Sequence, residues 1–465
     1  MNRFKRILFA VLFMTVLICT TVGLASCLVG VSYATLFAMS CNRACNSCNE
    51  HGHPAEDDEL KEIVFKLNSD AESYSVYRVP NIANVEIPAE YEGLPVTGIS
   101  NNAFATHYSS GCASHTEYND HLLLKIPSSI TKIDYSAFYG QVMIAKIEYG
   151  GTLEDWYNID FGSTPVSNPR YCNTELYIGG ELLTELTVPE SITEIGDYTF
   201  KNYSFFKRIE IPAHVEKIGE YAFDNCINVT EIIIHDSVTY VGERAFAGCE
   251  NATKLVIGNG LEKLGEYALN HMTKLEEVEF GTSYSTIDKE FFYYVDNLKK
   301  VTFNGDVRLN KEAFSELENL EEVYFKGDAK IGAYAFANCI SLKNIELGGD
   351  CDIYRFAFYG CTSLEEIDIS STTLTTLPES AFENCESLKS ITLPESLYKI
   401  GKNAFAGCTA LEEVIFEDAD GWELYYGENG GLEFDPKELE DAQKAARYLT
   451  ELYFDSEWQK KNKGR

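Results

Sequence analysis

An aromatic or aliphatic residue returns along this chain at a nearly fixed interval. It stands at Phe200, Phe223, Phe246, Leu269, Phe292, Phe314, Phe336, Phe358, Phe382 and Phe405, in steps of 23, 23, 23, 23, 22, 22, 22, 24 and 23 residues, with earlier copies at Phe104 and Phe138. A unit that short cannot bury its own apolar side, so such units must stack and share one continuous core. Each copy keeps one internal order. Ile-Gly or a relative precedes the Phe by five residues, as in Ile195-Gly196, Ile218-Gly219 and Ile400-Gly401, and Ala often stands directly before it, as in Ala222-Phe223. A segment Leu-x-x-Ile-x-Leu follows, as in Leu342-x-x-Ile345-x-Leu347, and Pro often closes it, at Pro127, Pro189, Pro212 and Pro394. Proline lacks a ladder donor and suits a strand end. The expected fold is a repeat solenoid with a parallel strand ladder and 22–24 residues per repeat. Right-handed crossovers set its sense. At about 4.8 Å per strand, roughly a dozen turns give a rod about 50–60 Å long.

This order, Leu-x-x-Ile-x-Leu-Pro followed by Ile-Gly-x-x-Ala-Phe-x-x-Cys, resembles the BspA-like leucine-rich-repeat family, from about residue 77 to residue 416. The resemblance implies a cell-surface or secreted bacterial, sometimes protist, protein linked to adhesion, and it implies no catalytic residues.

An open solenoid end exposes core and strand edges, so both ends need caps. Residues 60–79 read as an N-terminal cap of strands, with Ile63, Phe65 and Leu67 alternating before a Ser69-Asp70 turn and Tyr74, Val76 and Arg78 after it. Tyr91 to Pro95 reads as a turn into the first repeat. The solenoid then occupies 80–416, with an irregular insertion near 140–180 that holds Trp156. Residues 417–465 read as a C-terminal cap. Asp435-Pro436 starts a helix expected to run to about Lys463, with an apolar face of Leu439, Ala442, Ala446, Leu449 and Tyr453. Trp422 and Trp458 are its expected packing anchors.

Residues 1–40 open on Arg3, Lys5 and Arg6 and then carry no charge from Ile7 to Met39, the pattern of a signal peptide or membrane anchor. Leu24-Ala25-Ser26-Cys27 resembles a lipobox, in which Cys27 would be lipidated. The apolar run continues past it and is also long enough to span a bilayer, and both readings stay open. Either one leaves the remainder outside the cell, tethered by a juxtamembrane linker at 41–59.

The formal net charge of −34, from 72 acidic and 38 basic residues, offers no basic footprint for nucleic acid. There are 14 cysteines. Cys226, Cys249, Cys339, Cys361, Cys385 and Cys408 lie three residues after a repeat Phe, where other repeats place Met272, Val295 and Leu317, so this is a core position. Cys41, Cys45 and Cys48, followed by His51 and His53, have soft-metal ligand chemistry, against the plainer reading of a tether. His214, His235 and His271 read as surface residues. Asn202, Asn228 and Asn251 begin Asn-x-Ser/Thr triplets. No phosphate loop, nucleophile set or cofactor motif is present. The remaining enzymatic reading is a hydrolase using Glu154 and Asp155, which would face opposite sides of a strand.

In Leu-x-x-Ile-x-Leu the x positions project outward. One column reads Glu185, Arg208, Glu231, Lys254, Glu277, Lys300, Glu322. Another reads Glu276, Lys299, Glu321, Lys343, Glu365, Lys389, Glu412. Their alternating signs suit a register-supporting ladder. The third column holds Ile233 and Val256 side by side on a face expected to be wet, and Tyr324 further along. These three are the candidate ligand-binding residues. The expected function is non-catalytic extracellular binding, adhesion or recognition of a protein or glycan, with a structural surface spacer as the alternative and the oligomeric state open.

Overall fold

The computed structural model describes residues 60–80, 82, 84–104, 122–134, 137–138, 144–162, 174–282, 286–292, 294–425 and 431–461. The possible lipidation site Cys27, the candidate ligands Cys41, Cys45 and Cys48, and the whole of the expected anchor and linker lie outside the described residues.

Eight parallel strands form the main ladder: β1 (Arg208–Ile211), β2 (Glu231–Ile234), β3 (Lys254–Ile257), β4 (Glu277–Phe280), β5 (Lys300–Phe303), β6 (Glu322–Phe325), β7 (Asn344–Leu347) and β8 (Glu366–Ile367). Register follows the repeat, so Arg208, Glu231, Lys254, Glu277, Lys300, Glu322, Asn344 and Glu366 stand in one row. Two further strands, β9 (Ser390–Leu393) and β10 (Glu413–Phe416), pair with each other. The pleat turns alternate side chains inward, so Ile232 and Ile234 are buried while Glu231 and Ile233 are half-buried. Glu185, expected to begin the first charged column, lies in no strand. Its coil instead makes an antiparallel hairpin of Glu175–Ile178 with Glu181–Leu182.

Behind the ladder the repeat phenylalanines stack ring on ring. Centroids are 5.4 Å apart for Phe223 and Phe246, 5.5 Å for Phe336 and Phe358, and 5.2 Å for Phe358 and Phe382, with planes within 5° of parallel. Leu269 takes the same place in its coil, fully buried. Each of the six repeat cysteines is buried, and each thiol donates to the carbonyl of the phenylalanine one coil back. The distance is 3.3 Å for Cys226 to Phe200, 3.0 Å for Cys339 to Phe314 and 3.0 Å for Cys408 to Phe382. A small apolar body with a weak S–H donor fits a position that needs both.

The arc around each phenylalanine uses left-handed backbone. Tyr221 (φ 55°) and Asn225 (φ 62°) flank Phe223, and their amides reach forward to the carbonyls of Glu243 (2.9 Å) and Ala247 (2.6 Å) in the next coil. The second of these positions is Asn202, Asn225, Gly248, Asn338, Gly360, Asn384 and Gly407 in seven coils, residue types that tolerate this region best, and His271, Tyr294 and Glu316 in three others.

The caps come from local chemistry. Strands Val64–Leu67 and Tyr74–Arg78 form an antiparallel hairpin. At its turn Asp70 accepts from the backbone amides of Glu72 (2.9 Å) and Ser73 (3.2 Å). Tyr91 to Pro95 is a two-residue hairpin with Glu92 and Gly93 both at positive φ, and Phe65 stacks on Tyr91 at 4.3 Å. In the irregular region, Ile144–Tyr149 still pairs with its neighbouring coils, and the return arc is the short helix α1 (Leu153–Tyr157). Trp156 is fully buried there against Tyr149 and Phe161.

The single C-terminal helix expected up to Lys463 is broken. Helix α2 (Pro436–Glu440) is capped by Asp435, and α3 (Ala442–Arg447) by Asp441, whose extended backbone separates the two. After a wide turn at Tyr448–Leu452 the chain forms strand Trp458–Lys460, antiparallel to Trp422–Leu424 and to Lys399–Ile400. Trp422 and Trp458 are each 1% exposed, and Phe434 stacks on Trp458 at 4.4 Å. An apolar period of 3.6 does not reveal a break at a residue such as Asp441, which serves as the N-cap of a second helix.

Candidate binding face

The charged columns of the strand face pair within the chain. Arg208 Nε lies 2.8 Å from the Glu231 carboxylate. Glu277 sits between Lys254 (3.7 Å) and Lys300 (3.6 Å). In the neighbouring column Lys299 reaches Glu276 at 3.1 Å and Lys343 reaches Glu321 at 3.2 Å. Lys389 binds Glu365, which lowers the Glu365 carboxyl and raises the Lys389 ammonium from their ordinary ranges. Exposed pairs of this kind contribute little to stability.

The third column is different. Ile233 in β2 and Val256 in β3 stand directly in register, both half-buried, between Glu210 on one side and Glu279 on the other. They form a small apolar step on a mostly polar face, where Ile415 of β10 is a further exposed apolar side chain. Tyr324 lies three strands away in β6, in register with Thr302 and Glu346. Its hydroxyl donates to Glu322 (3.1 Å), and the Lys300 ammonium sits 5.3 Å from its ring centre. Partial burial, then the bond to Glu322, raises its hydroxyl above the ordinary range. Ile233 and Val256 are thus brought together, whereas Tyr324 is a separate feature anchored by its own neighbours.

A shallow groove opens elsewhere, lined by Ser370, Thr372, Thr373, Pro394, Glu395, Ser396 and Glu417, with a volume of about 430 Å³. It sits at the one 24-residue step, where a second row of short parallel strands (Thr286–Ile287, Val307–Leu309, Ala329–Ile331 and Cys351–Ile353) does not continue into Thr376–Leu377. The sequence feature that marks this coil is the 24-residue step from Phe358 to Phe382.

Other candidate residues have structural tasks. Asp155 closes a capping box with Thr152, accepting from its amide at 2.8 Å, and Glu154 accepts from the Ser191 hydroxyl at 2.7 Å. Both lie on helix α1 rather than on a strand. Asn228 and Asn251 donate their side-chain amides to the carbonyls of Ser204 (2.8 Å) and Ile227 (2.7 Å) one coil back, so these side chains serve coil-to-coil bonding. His235 is exposed. His271 is half-buried with its ring tilted against Tyr294 at 4.5 Å, and burial followed by the nearby Arg244 charge lowers its basicity. Among the described residues no group of three or more His, Cys, Asp or Glu is arranged to hold a metal ion, and no helix is long and apolar enough to cross a membrane.

A family model described as the BspA type leucine rich repeat region matches overlapping stretches at 70–201, 116–228, 171–299, 216–343 and 307–420. No curated protein matches. Among solved structures, the chain is similar to a leucine-rich repeat protein from Bacteroides ovatus ATCC 8483, 24% identical over 77% of this chain and 94% of that one, with a TM-score of 0.45. It is also similar to a leucine rich cell surface protein from Faecalibacterium prausnitzii A2-165, 21% identical over 80% and 96%, with a TM-score of 0.39.

Proposed function

Because the chain belongs to the BspA-type leucine-rich repeat family, we propose that it is a non-catalytic binding protein of the cell exterior, which recognises a protein or glycan through the strand face of its solenoid. The observation that carries this reading is the apolar pair Ile233 and Val256, in register and half-exposed on a face where most of the neighbouring charges pair with one another. A rigid strand face is the natural recognition surface of a solenoid, and an apolar step on it gains free energy when a partner covers it. Tyr324 supplies a second, aromatic contact at the far side of β4 and β5. The N-terminal 40 residues tether the protein to the membrane by an acylated Cys27 or by a spanning segment.

The paired charge ladders favour one other reading, a spacer whose repeats only present or shield. The two readings separate by binding. The chain from residue 54 onward is offered to a panel of matrix proteins, mucins and glycans at two salt concentrations. Saturable binding that weakens in Ile233→Asp or Tyr324→Ala supports recognition through this face. Silence across the panel from folded protein overturns it in favour of the spacer.

A further inference from the structure

The residue after the repeat aromatic varies from coil to coil, with Ala247, Asn270, Ser315, Ala337, Tyr359, Glu383 and Ala406 in seven of them. In two consecutive coils it is Lys201 and Asp224. The arcs are joined by the bond from the Asn202 amide to the Asp224 carbonyl, at 2.7 Å. The two side chains are in direct contact and are only 8% and 6% exposed. Tyr221 covers the pair from one side, its ring centre 5.0 Å from the Lys201 ammonium, and the guanidinium of Arg244 lies 3.8 Å from the second Asp224 oxygen.

Burial acts on both members of such a pair. It disfavours ammonium and carboxylate alike, and transfer of one proton from Lys201 to Asp224 leaves a neutral amine against a neutral carboxylic acid with no net change of charge. Burial, then the like charge of Arg244, lowers Lys201 to about 7, so the amine form is accessible near neutral pH. An unprotonated amine held in contact with a carboxyl group out of water is close to the carbon it would attack as a nucleophile.

We propose that Lys201 and Asp224 are the site of an autocatalytic isopeptide bond that covalently joins two consecutive coils of the solenoid. The Lys201 Nζ lone pair adds to Cγ of the protonated Asp224 carboxyl, forming the C–N bond. The developing oxyanion is stabilised by Arg244, a positioning residue for this step. One Nζ proton passes to the departing hydroxyl, the C–O bond breaks, and one water leaves. No oxidant, reductant or co-reactant is consumed. The product is a neutral secondary amide, which removes two buried charges from the arc.

Intact-mass measurement of the full chain, purified and denatured, tests this directly. The expected result is a mass one water below that of the sequence, with a branched proteolytic peptide joining the Lys201 segment to the Asp224 segment. Lys201→Arg and Asp224→Ala should each restore the unmodified mass. Arg244→Ala should slow conversion several-fold in freshly refolded protein. A mass equal to the unmodified sequence overturns the proposal, whether or not the variants fold. So does a lost water found in a linear peptide, as an imide at Asp224.

Discussion

The Cys361 thiol donates to the carbonyl oxygen of Phe336, 3.1 Å away in the preceding coil. The same carbonyl also receives the amide of Cys339, three residues on, at 3.1 Å. One oxygen therefore serves both the closure of its own arc and the stacking of the next coil. The position accepts Met272 and Val295 without the thiol bond, so that bond refines the packing rather than creating it.

Burial raises the thiols of Cys249, Cys361 and Cys385 well above 9.0 in the folded protein. The folded state therefore holds these protons where the unfolded state releases them. The stability is complete below pH 9 and declines as pH rises through and beyond it, by at most about 1.4 kcal/mol per pH unit for each thiol. Thermal midpoints measured from pH 7 to 10.5 should be flat at first and then fall. In Cys361→Ala the fall should be shallower, and an equal slope in both proteins would refute the assignment.

Phe358 stacks on Phe336 and Phe382 and is fully buried. Phe358→Ala should cost about 3–5 kcal/mol in chemical denaturation. Phe358→Leu should cost less, about 1–2 kcal/mol, because Leu269 fills the equivalent place in its own coil.

Glu277 lies between Lys254 and Lys300. Glu277→Ala should change stability by no more than about 1 kcal/mol, as expected for exposed pairs. Glu277→Lys places three cations in one row. It should lower the midpoint at low salt and recover most of the loss at 1 M salt, where screening is short-ranged.

Trp458 is buried beneath the last coil and its strand pairs with Lys399–Ile400. In Trp458→Ala, hydrogen exchange should accelerate first at Lys399, Ile400 and their neighbours, while β2 and β3 stay protected. Uniform acceleration along the solenoid would mean that the coils do not open from the end.

The period was legible because each coil repeats the same burial task, and the Phe, Ile-Gly and Cys positions follow from it. The break at Asp441 was not legible, since a helix pattern does not reveal an internal N-cap. Glu185 fits the charge column by spacing, yet its coil is diverted into a hairpin by the neighbouring Glu181–Leu182 segment. Ile233 and Val256 could be placed side by side from register alone. The Tyr324 hydroxyl bond to Glu322 could not, because it depends on side-chain direction within one strand. Lys201 and Asp224 stand 23 residues apart in the sequence, one period, but their burial only emerges once the arcs are stacked.

At the last coil the forward-reaching amide of Asn403 finds its acceptor in Phe454, a residue of the cap rather than of another repeat. The cap thus supplies what a further coil would have supplied, and coils before it offer the same acceptor to one another. Length is consequently a free variable in this molecule's descent. Duplicating or deleting a whole unit in register, say residues 337–358, leaves the flanking coils with neighbours of the kind they already recognise, whereas a partial unit would leave a phenylalanine facing the wrong side of its coil. Selection could tune the molecule's reach by counting in whole turns.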